Sequence, residues 1–174
     1  RLINDSQQAI AITAQKHLLA DTFEKKLPFE LTAGQIEIGT QIESDLAKNR
    51  PMHRLLQGEV GSGKTIVALR TMLIAVDAGA QAALLAPTEV LAQQHARTIK
   101  TMLGELAQGG EISQSEVSTK VSLLTGSITA KLRSAVLADI ASGRAGIVVG
   151  THALIQEKVE FSNLALVVVD EQHR

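Results

Sequence analysis

The sequence alternates short apolar runs with longer segments in which apolar residues recur every three or four positions. Uninterrupted apolar runs are typical of strands covered on both faces, whereas the longer spacing indicates amphipathic helices. The runs predict strands at 82–86, 121–124, 146–150 and 164–169, and a further short strand is predicted at 54–57. Helices are predicted around 66–75, 89–103 and 132–142, with a short turn or helix at 153–156. This alternation predicts an α/β fold with a mainly parallel sheet and right-handed crossovers.

Helical patterns also precede the first predicted strand. Residues 1–27 carry apolar side chains at helical spacing, which predicts one or two helices that end at Pro28. Thr32 is placed to cap a further helix that runs to about Asn49. The side chains of that helix predicted to face inward are Ile36, Ile38, Ile42 and Leu46. We interpret 1–27 as a helical linker that packs against a domain formed by 28–174.

Composition narrows the class of protein. The 174 residues are 45% hydrophobic and 20% charged, which is typical of a globular domain. A formal net charge of −1 gives no support for tight non-specific binding of nucleic acid, although contacts through backbone N–H groups stay possible. The absence of cysteine excludes disulfides and thiolate metal sites and suits a cytosolic protein. Neither a signal peptide nor a membrane-spanning run is visible. Because the sequence opens on Arg1 rather than Met, we expect a fragment of a longer protein.

One glycine-rich segment, residues 58–65, fits the phosphate-binding pattern G-x-x-x-x-G-K-[ST]. It lies between a predicted strand and a predicted helix, which is the context that the pattern requires. Glycines let several backbone N–H groups point at one phosphate, and the N-terminus of the helix adds partial positive charge. Lys64 is placed to reach the β- and γ-phosphates, and the Thr65 hydroxyl to ligate Mg²⁺. The nucleotide-binding residues predicted here are Gly58, Gly61, Ser62, Gly63, Lys64 and Thr65.

Polar clusters follow the predicted strands directly, where ligands bind in parallel sheets. The clusters are Pro87-Thr88-Glu89, Thr125-Gly126-Ser127, Gly150-Thr151-His152 and Asp170-Glu171. Asp170 is placed to hold Mg²⁺ opposite Thr65, and Glu171 to polarise an attacking water. The alternative interpretation of Asp170 and Glu171 is an acidic turn after a core strand.

Three other polar residues carry weaker signals. Gln35 lies in the first turn after Thr32, and its amide can donate to and accept from an adenine edge; a solvated glutamine is the alternative. His95 is interpreted as a surface histidine on an outward helix face. His173 is either a sensor that links the nucleotide to another surface or an exposed residue. No zinc ligand set is assembled, so no structural metal site is predicted.

Together these motifs resemble helicase superfamily 2 and, within it, the RecG family of branched-DNA translocases. The resembling segments are 27–35, 54–65, 86–92, 150–156 and 169–174, so the match covers roughly residues 27 to 174. Residues 170–173 match the aspartate-glutamate-x-histidine box of the superfamily. Glu59 departs from the RecG pattern, which more often has aspartate there. Transcription-repair coupling translocases, the nearest relatives, usually differ at Ser62 and Gln172.

The resemblance implies a three-layer RecA-like P-loop NTPase domain, truncated on its C-terminal side, that forms most of the first motor domain of an ATP-dependent DNA helicase. It implies that Gln35 reads adenine and that Lys64, Asp170 and Glu171 act in ATP hydrolysis, with Mg²⁺ held by Thr65 and Asp170. The residues that it implies on the DNA-facing side are Pro87, Thr88, Thr125, Gly126, Thr151 and His152.

For the whole enzyme, the resemblance implies translocation on duplex DNA, reversal of stalled forks and movement of Holliday junctions. Its partners would be forks and junctions of branched DNA. The protein would act in the bacterial cytoplasm, at the nucleoid, and would not bind a membrane. A wedge domain is expected before residue 1, and a second motor domain with an arginine finger after residue 174. The isolated chain is therefore expected to bind ATP weakly, hydrolyse it slowly and not unwind DNA. The alternatives are a transcription-repair coupling translocase, another superfamily 2 helicase, or a regulatory P-loop module without motor activity, against which Glu171 argues.

Overall fold

The computed structural model of the chain describes residues 8–13, 16–59, 61–108, 117–156 and 159–170. The helices are α1 (Leu18–Lys26), α2 (Ala33–Leu46), α3 (Lys64–Asp77), α4 (Glu89–Leu103), α5 (Ala130–Ser142) and α6 (Ala153–Gln156). The strands are β1 (Gln81–Leu85), β2 (Lys120–Leu124), β3 (Ala145–Gly150) and β4 (Leu164–Val169). A 3₁₀ turn, Gly104–Ala107, follows α4. No helix among these residues is long and apolar enough to cross a membrane.

The strands form one parallel sheet in the order β2-β3-β1-β4. Leu85 at the end of β1 pairs with Gly150 of β3 and with Val169 of β4. Leu124 at the end of β2 also pairs with Gly150. The carboxyl ends of the four strands are therefore level, and the loops that follow them lie along one edge. The α/β fold with a parallel sheet that the alternating pattern predicts is confirmed.

Helices cover both faces of the sheet. Because successive side chains of a strand point to opposite faces, Ala82 and Leu84 of β1 pack in the core beneath α1–α4, whereas Ala83 packs with α5 and α6. In the first core α3 is buried most deeply, with Leu69 and Leu73 fully enclosed. The result is a three-layer α/β/α arrangement.

Threonine side chains begin three of the long helices. The hydroxyl of Thr32 accepts from Gln35 N at the start of α2, and Thr88 and Thr129 accept in the same way at the starts of α4 and α5. Such caps satisfy backbone N–H groups that have no partner inside the helix. Gly79, with a φ of +79°, follows α3 in the left-handed region that favours glycine. The predicted caps at Thr32 and Thr88 are confirmed.

Helix α1 shares a core with α3, the helix that follows the glycine-rich segment. Phe23 is almost completely buried, and the Asp77 carboxylate at the end of α3 accepts from two backbone N–H groups at the start of α1, at 2.8 and 3.0 Å. Arg70 of α3 pairs with Glu24 of α1 and with Glu43 of α2. These contacts join α1, α2 and α3 on one face of the sheet. The domain division between residues 27 and 28 stays a prediction.

Two local predictions are wrong. Residues 51–59 have no regular structure, although a strand is expected at 54–57. The reason lies in the side chains, because the guanidinium of Arg54 is held by Asp45 and Gln41 of α2, while Leu55 is 70% exposed. Ile36, expected to face inward, is 53% exposed on α2.

Candidate nucleotide-binding site

The glycine-rich segment enters α3 through two residues in the left-handed region. Gly61 has a φ of +83° and Gly63 a φ of +78°, a conformation that costs other L-residues about 1–2 kcal/mol. At Gly61 a Cβ would meet nothing within 4 Å, whereas at Gly63 it would overlap with Gln35 Nε2. Glycine is therefore required at Gly61 for conformation alone, and at Gly63 for conformation and space.

The N-terminus of α3 differs from those of α2, α4 and α5, because no side chain caps it. Its N-cap residue is Gly63, whose carbonyl accepts the first helical hydrogen bonds from Ile66 N and Val67 N. The N–H groups of the first turn therefore point out of the helix end without a side-chain acceptor. Such an end, carrying the positive pole of the helix, is suited to bind an anion such as phosphate.

The Lys64 ammonium lies against the same loop. Its Nζ donates to the carbonyl oxygens of Gly58 and Glu59, the latter at 2.9 Å. The positive charge is thus held next to the uncapped end of α3. A lysine on a flexible stem can exchange carbonyl acceptors for phosphate oxygens without a change in the backbone.

Gln35 joins α2 to the glycine-rich segment. Its Oε1 accepts from Thr32 N at 2.9 Å, and its Nε2 donates to Ser62 O at 3.2 Å. One amide hydrogen of Gln35 is not used in these two contacts, since a primary amide carries two. Next to it, a cavity of about 50 Å³ opens between α2 and α3. Side chains that line this cavity include Gln35, Ile36, Ile66 and Arg70.

Asp170 directly follows β4 at the carboxyl edge of the sheet. Its N–H donates to Leu85 O at 2.9 Å, which fixes its main chain beside the end of β1. Its carboxylate Oδ2 accepts from His95 Nε2 at 2.7 Å. Thr65 and Asp170 both offer oxygen atoms, the donors that Mg²⁺ prefers. Among the described residues, no three His, Asp or Glu side chains form a cluster that could hold a metal on their own.

The prediction that His95 is a surface histidine is wrong. Only 22% of its side chain is exposed, and its imidazole is hydrogen-bonded to Asp170. The helical spacing indicates that His95 faces the sheet, because it lies three residues after Ala92 and four before Ile99, which are both buried. The polar residues around His95 mask that alignment.

The predicted DNA-facing residues all lie along the same edge, and all but one of them are at least partly exposed. Pro87, Thr88, Gly126 and His152 are exposed, and Thr151 is half-buried. Thr125 is fully buried, and its hydroxyl lies 3.3 Å from Ser127 Oγ. The polar group that this loop presents to solvent is therefore at Ser127 and the Gly126 backbone.

Part of the predicted site falls outside the described residues. Glu171, expected to activate water, is the residue after Asp170 and is not among them. The same holds for Gln172 and His173, so their roles stay predictions.

Residues 32–174 match the family model described as DEAD/DEAH box helicase. The ATP-dependent DNA helicase RecG of Mycobacterium bovis is 62% identical over 156 residues, which cover 90% of this chain and 21% of the relative. The RecG of Aquifex aeolicus is 44% identical over 168 residues, which cover 97% of this chain and 20% of that protein. A solved structure of RecG bound to a three-way DNA junction matches with a TM-score of 0.83 at 40% identity, over 96% of this chain and 21% of that one. The chain thus spans about a fifth of the length of these relatives.

Proposed function

Since the chain belongs to the DEAD/DEAH box helicase family and, within it, to the RecG DNA helicases, we propose that it is the ATP-hydrolysing part of a helicase motor that moves on branched DNA. One observation carries the proposal: the uncapped N-terminus of α3 follows a glycine loop, with the Lys64 ammonium beside it. Phosphates of ATP would take the place that side-chain caps occupy on α2, α4 and α5.

Nucleotide binding would use the loop and the two elements that adjoin it. Lys64 would transfer its hydrogen bonds from the loop carbonyls to the β- and γ-phosphates. The second amide hydrogen of Gln35 would donate to adenine, while its first continues to hold Ser62 O. Thr65 and the Oδ1 atom of Asp170 would hold Mg²⁺, which neutralises charge that develops on the phosphates.

Hydrolysis would need groups on both sides of the γ-phosphate. Glu171 would polarise the attacking water from the strand end that also carries Asp170. An arginine from a second motor domain would complete the site, and such residues raise rates by about 10³–10⁵. The isolated 174-residue chain would therefore bind ATP weakly and hydrolyse it slowly.

DNA would bind along the loops that follow β1, β2 and β3. With a net charge of −1, the chain offers no basic field, so binding would depend on hydroxyl and backbone N–H donors to phosphate oxygens. Pro87, Thr88, Gly126, Thr151 and His152 would form this contact, and buried Thr125 would shape its loop. In the full-length protein the motor would drive branch migration and fork reversal, in the bacterial cytoplasm.

Replacement of Lys64 by Ala in the full-length protein tests the proposal. We expect DNA-stimulated ATP turnover to fall by about 10²–10³, the range for loss of one charge-stabilising donor, while affinity for forked DNA is retained. Lys48→Ala is the matched control, because Lys48 pairs with Asp45 on the surface and the charge change is the same. If the Lys64→Ala protein kept its ATPase activity, the nucleotide site would lie elsewhere. Stimulation by RNA rather than forked DNA would contradict the proposed substrate.

A further inference from the structure

The imidazole of His95 holds a single oxygen of the Asp170 carboxylate. Its Nε2 lies 2.7 Å from Oδ2, and both side chains are mostly enclosed, with 22% and 27% exposed. Since a carboxylate only accepts hydrogen bonds, Nε2 carries the hydrogen and donates it. We propose that His95 is a positioning residue for Asp170, which turns the carboxylate so that Oδ1 is left for the metal. This inference rests on the proposed function, because it needs Asp170 to hold Mg²⁺.

The path of the contact across the sheet supports a specific role. Helix α4 packs mainly against β2 and β3, whereas Asp170 follows β4, which lies on the other side of β1. His95 therefore joins α4 to a strand end that is not one of the two strands on which the helix mainly packs. The main chain of Asp170 is held by Leu85 O, which leaves the side-chain torsions free. Among the described contacts, the bond from His95 is the one that fixes them.

Packing does not explain the contact. The attachment of α4 to the sheet rests on its buried apolar side chains: Ala92, Ala96, Ile99 and Leu103. Loss of the imidazole hydrogen bond removes none of these contacts, so the helix should stay in place. Misorientation of the Asp170 carboxylate is then the main expected effect, and supporting residues of this kind typically change metal affinity about 10- to 100-fold.

Four substitutions in the full-length protein and one double variant separate the possibilities. His95→Leu removes the donor and keeps apolar bulk, whereas His95→Gln supplies an amide N–H at a similar reach without an imidazole. Gln94→Leu is the matched control, since Gln94 is the exposed neighbour on the same helix. Asp170→Asn, alone and combined with His95→Leu, tests the premise.

The probe is Mn²⁺ bound with ADP, and its dissociation constant is measured by electron paramagnetic resonance. We expect His95→Leu to weaken Mn²⁺ binding about 10-fold or more, His95→Gln to restore most of the affinity, and Gln94→Leu to leave it unchanged. Excess Mg²⁺ should recover the kcat of the Leu variant but not that of Asp170→Asn. In the Asp170→Asn background, His95→Leu should have no further effect, because the two residues act as one unit.

The failures are distinguishable. If Asp170→Asn leaves Mn²⁺ affinity unchanged, the proposed role of Asp170 is wrong and the inference falls with it. If Asp170→Asn weakens binding but His95→Leu does not, the inference alone is overturned. The inference is also overturned if His95→Gln folds but binds Mn²⁺ as weakly as His95→Leu. The amide donor would then not restore binding, so loss of the hydrogen bond would not explain the weaker binding. If the double variant binds Mn²⁺ more weakly than Asp170→Asn alone, the inference is overturned as well.

Discussion

A methyl group added at Gly63 should disturb the protein differently from the same group added at Gly61. Both residues have a positive φ, so Ala at either position pays a similar conformational cost of about 1–2 kcal/mol. The reduced freedom of the unfolded chain is also the same for both changes and cancels. The two positions differ in space, because only the new Cβ at Gly63 overlaps with Gln35 Nε2.

The extra loss at Gly63 follows from the contacts of Gln35. To make room, this side chain must leave its hydrogen bonds with Thr32 N and Ser62 O. A net value of about 0.5–1.5 kcal/mol applies to each such bond, and solvent near this surface places both at the lower end. We therefore expect Gly61→Ala to lower the free energy of unfolding by about 1–2 kcal/mol and Gly63→Ala by about 1 kcal/mol more.

Urea unfolding of the 174-residue chain without nucleotide measures these values. Far-ultraviolet circular dichroism is the appropriate signal, because the sequence contains no Trp and no Tyr. The same two glycine substitutions made in a Gln35→Ala background complete a double-mutant cycle. There the two losses should become equal. Equal losses already in the wild-type background, or an extra loss at Gly63 that persists without the Gln35 side chain, would refute the steric coupling.

Two further changes test groups that stabilise the fold. Gln81 is 2% exposed, and its side chain donates to two carbonyl oxygens and accepts from Asn163 N. Gln81→Leu should therefore lower the free energy of unfolding by about 3 kcal/mol or more. In the same urea assay, the control Gln94→Leu should have only a small effect. Burial raises the pKa of Asp77 above its usual value of 3.8, so the unfolded chain releases this proton first as pH rises. The contribution of Asp77 to stability should therefore be complete below pH 3.8 and should decline as the pH rises towards the raised pKa. In unfolding curves recorded at several pH values, Asp77→Asn should abolish this decline. A decline that persists in the Asn variant would assign it to another group.

Much of the fold follows from local sequence signals. Apolar runs without alternation predict β1–β4, because strands covered on both faces need apolar residues at every position. The edge strand β4 keeps this pattern although its Val167 and Val169 are about half exposed. Thr32 and Thr88 mark helix starts because a hydroxyl can satisfy a terminal N–H group. The helicase family and its motor fold follow instead from the resemblance of the motifs to superfamily 2, which the comparisons confirm. Local chemistry is sufficient here because each of these features depends on neighbours in sequence.

Contacts between distant elements could not be predicted in the same way. The side chain of Arg54 contacts α2, and nothing in the sequence of 54–57 indicates that partner. The bond from His95 to Asp170 joins residues 75 positions apart and depends on where α4 crosses the sheet. Periodicity reports which helix face is buried, but it does not report which strand end lies beneath that face.

The two halves of the candidate site depend on such distant contacts. Gln35 of α2 donates a hydrogen bond to Ser62 O in the glycine-rich segment, and His95 of α4 is hydrogen-bonded to the Asp170 carboxylate. Neither helix is part of the phosphate-binding pattern, and each contact is made by a single hydrogen-bond donor rather than by a broad surface. A motif supplies the groups that touch nucleotide, but their orientation is set by helices that lie elsewhere in the chain. Substitutions at Gln35 and His95 should therefore affect different ligands, the first the nucleotide and the second the metal, and a common effect on both would contradict this division.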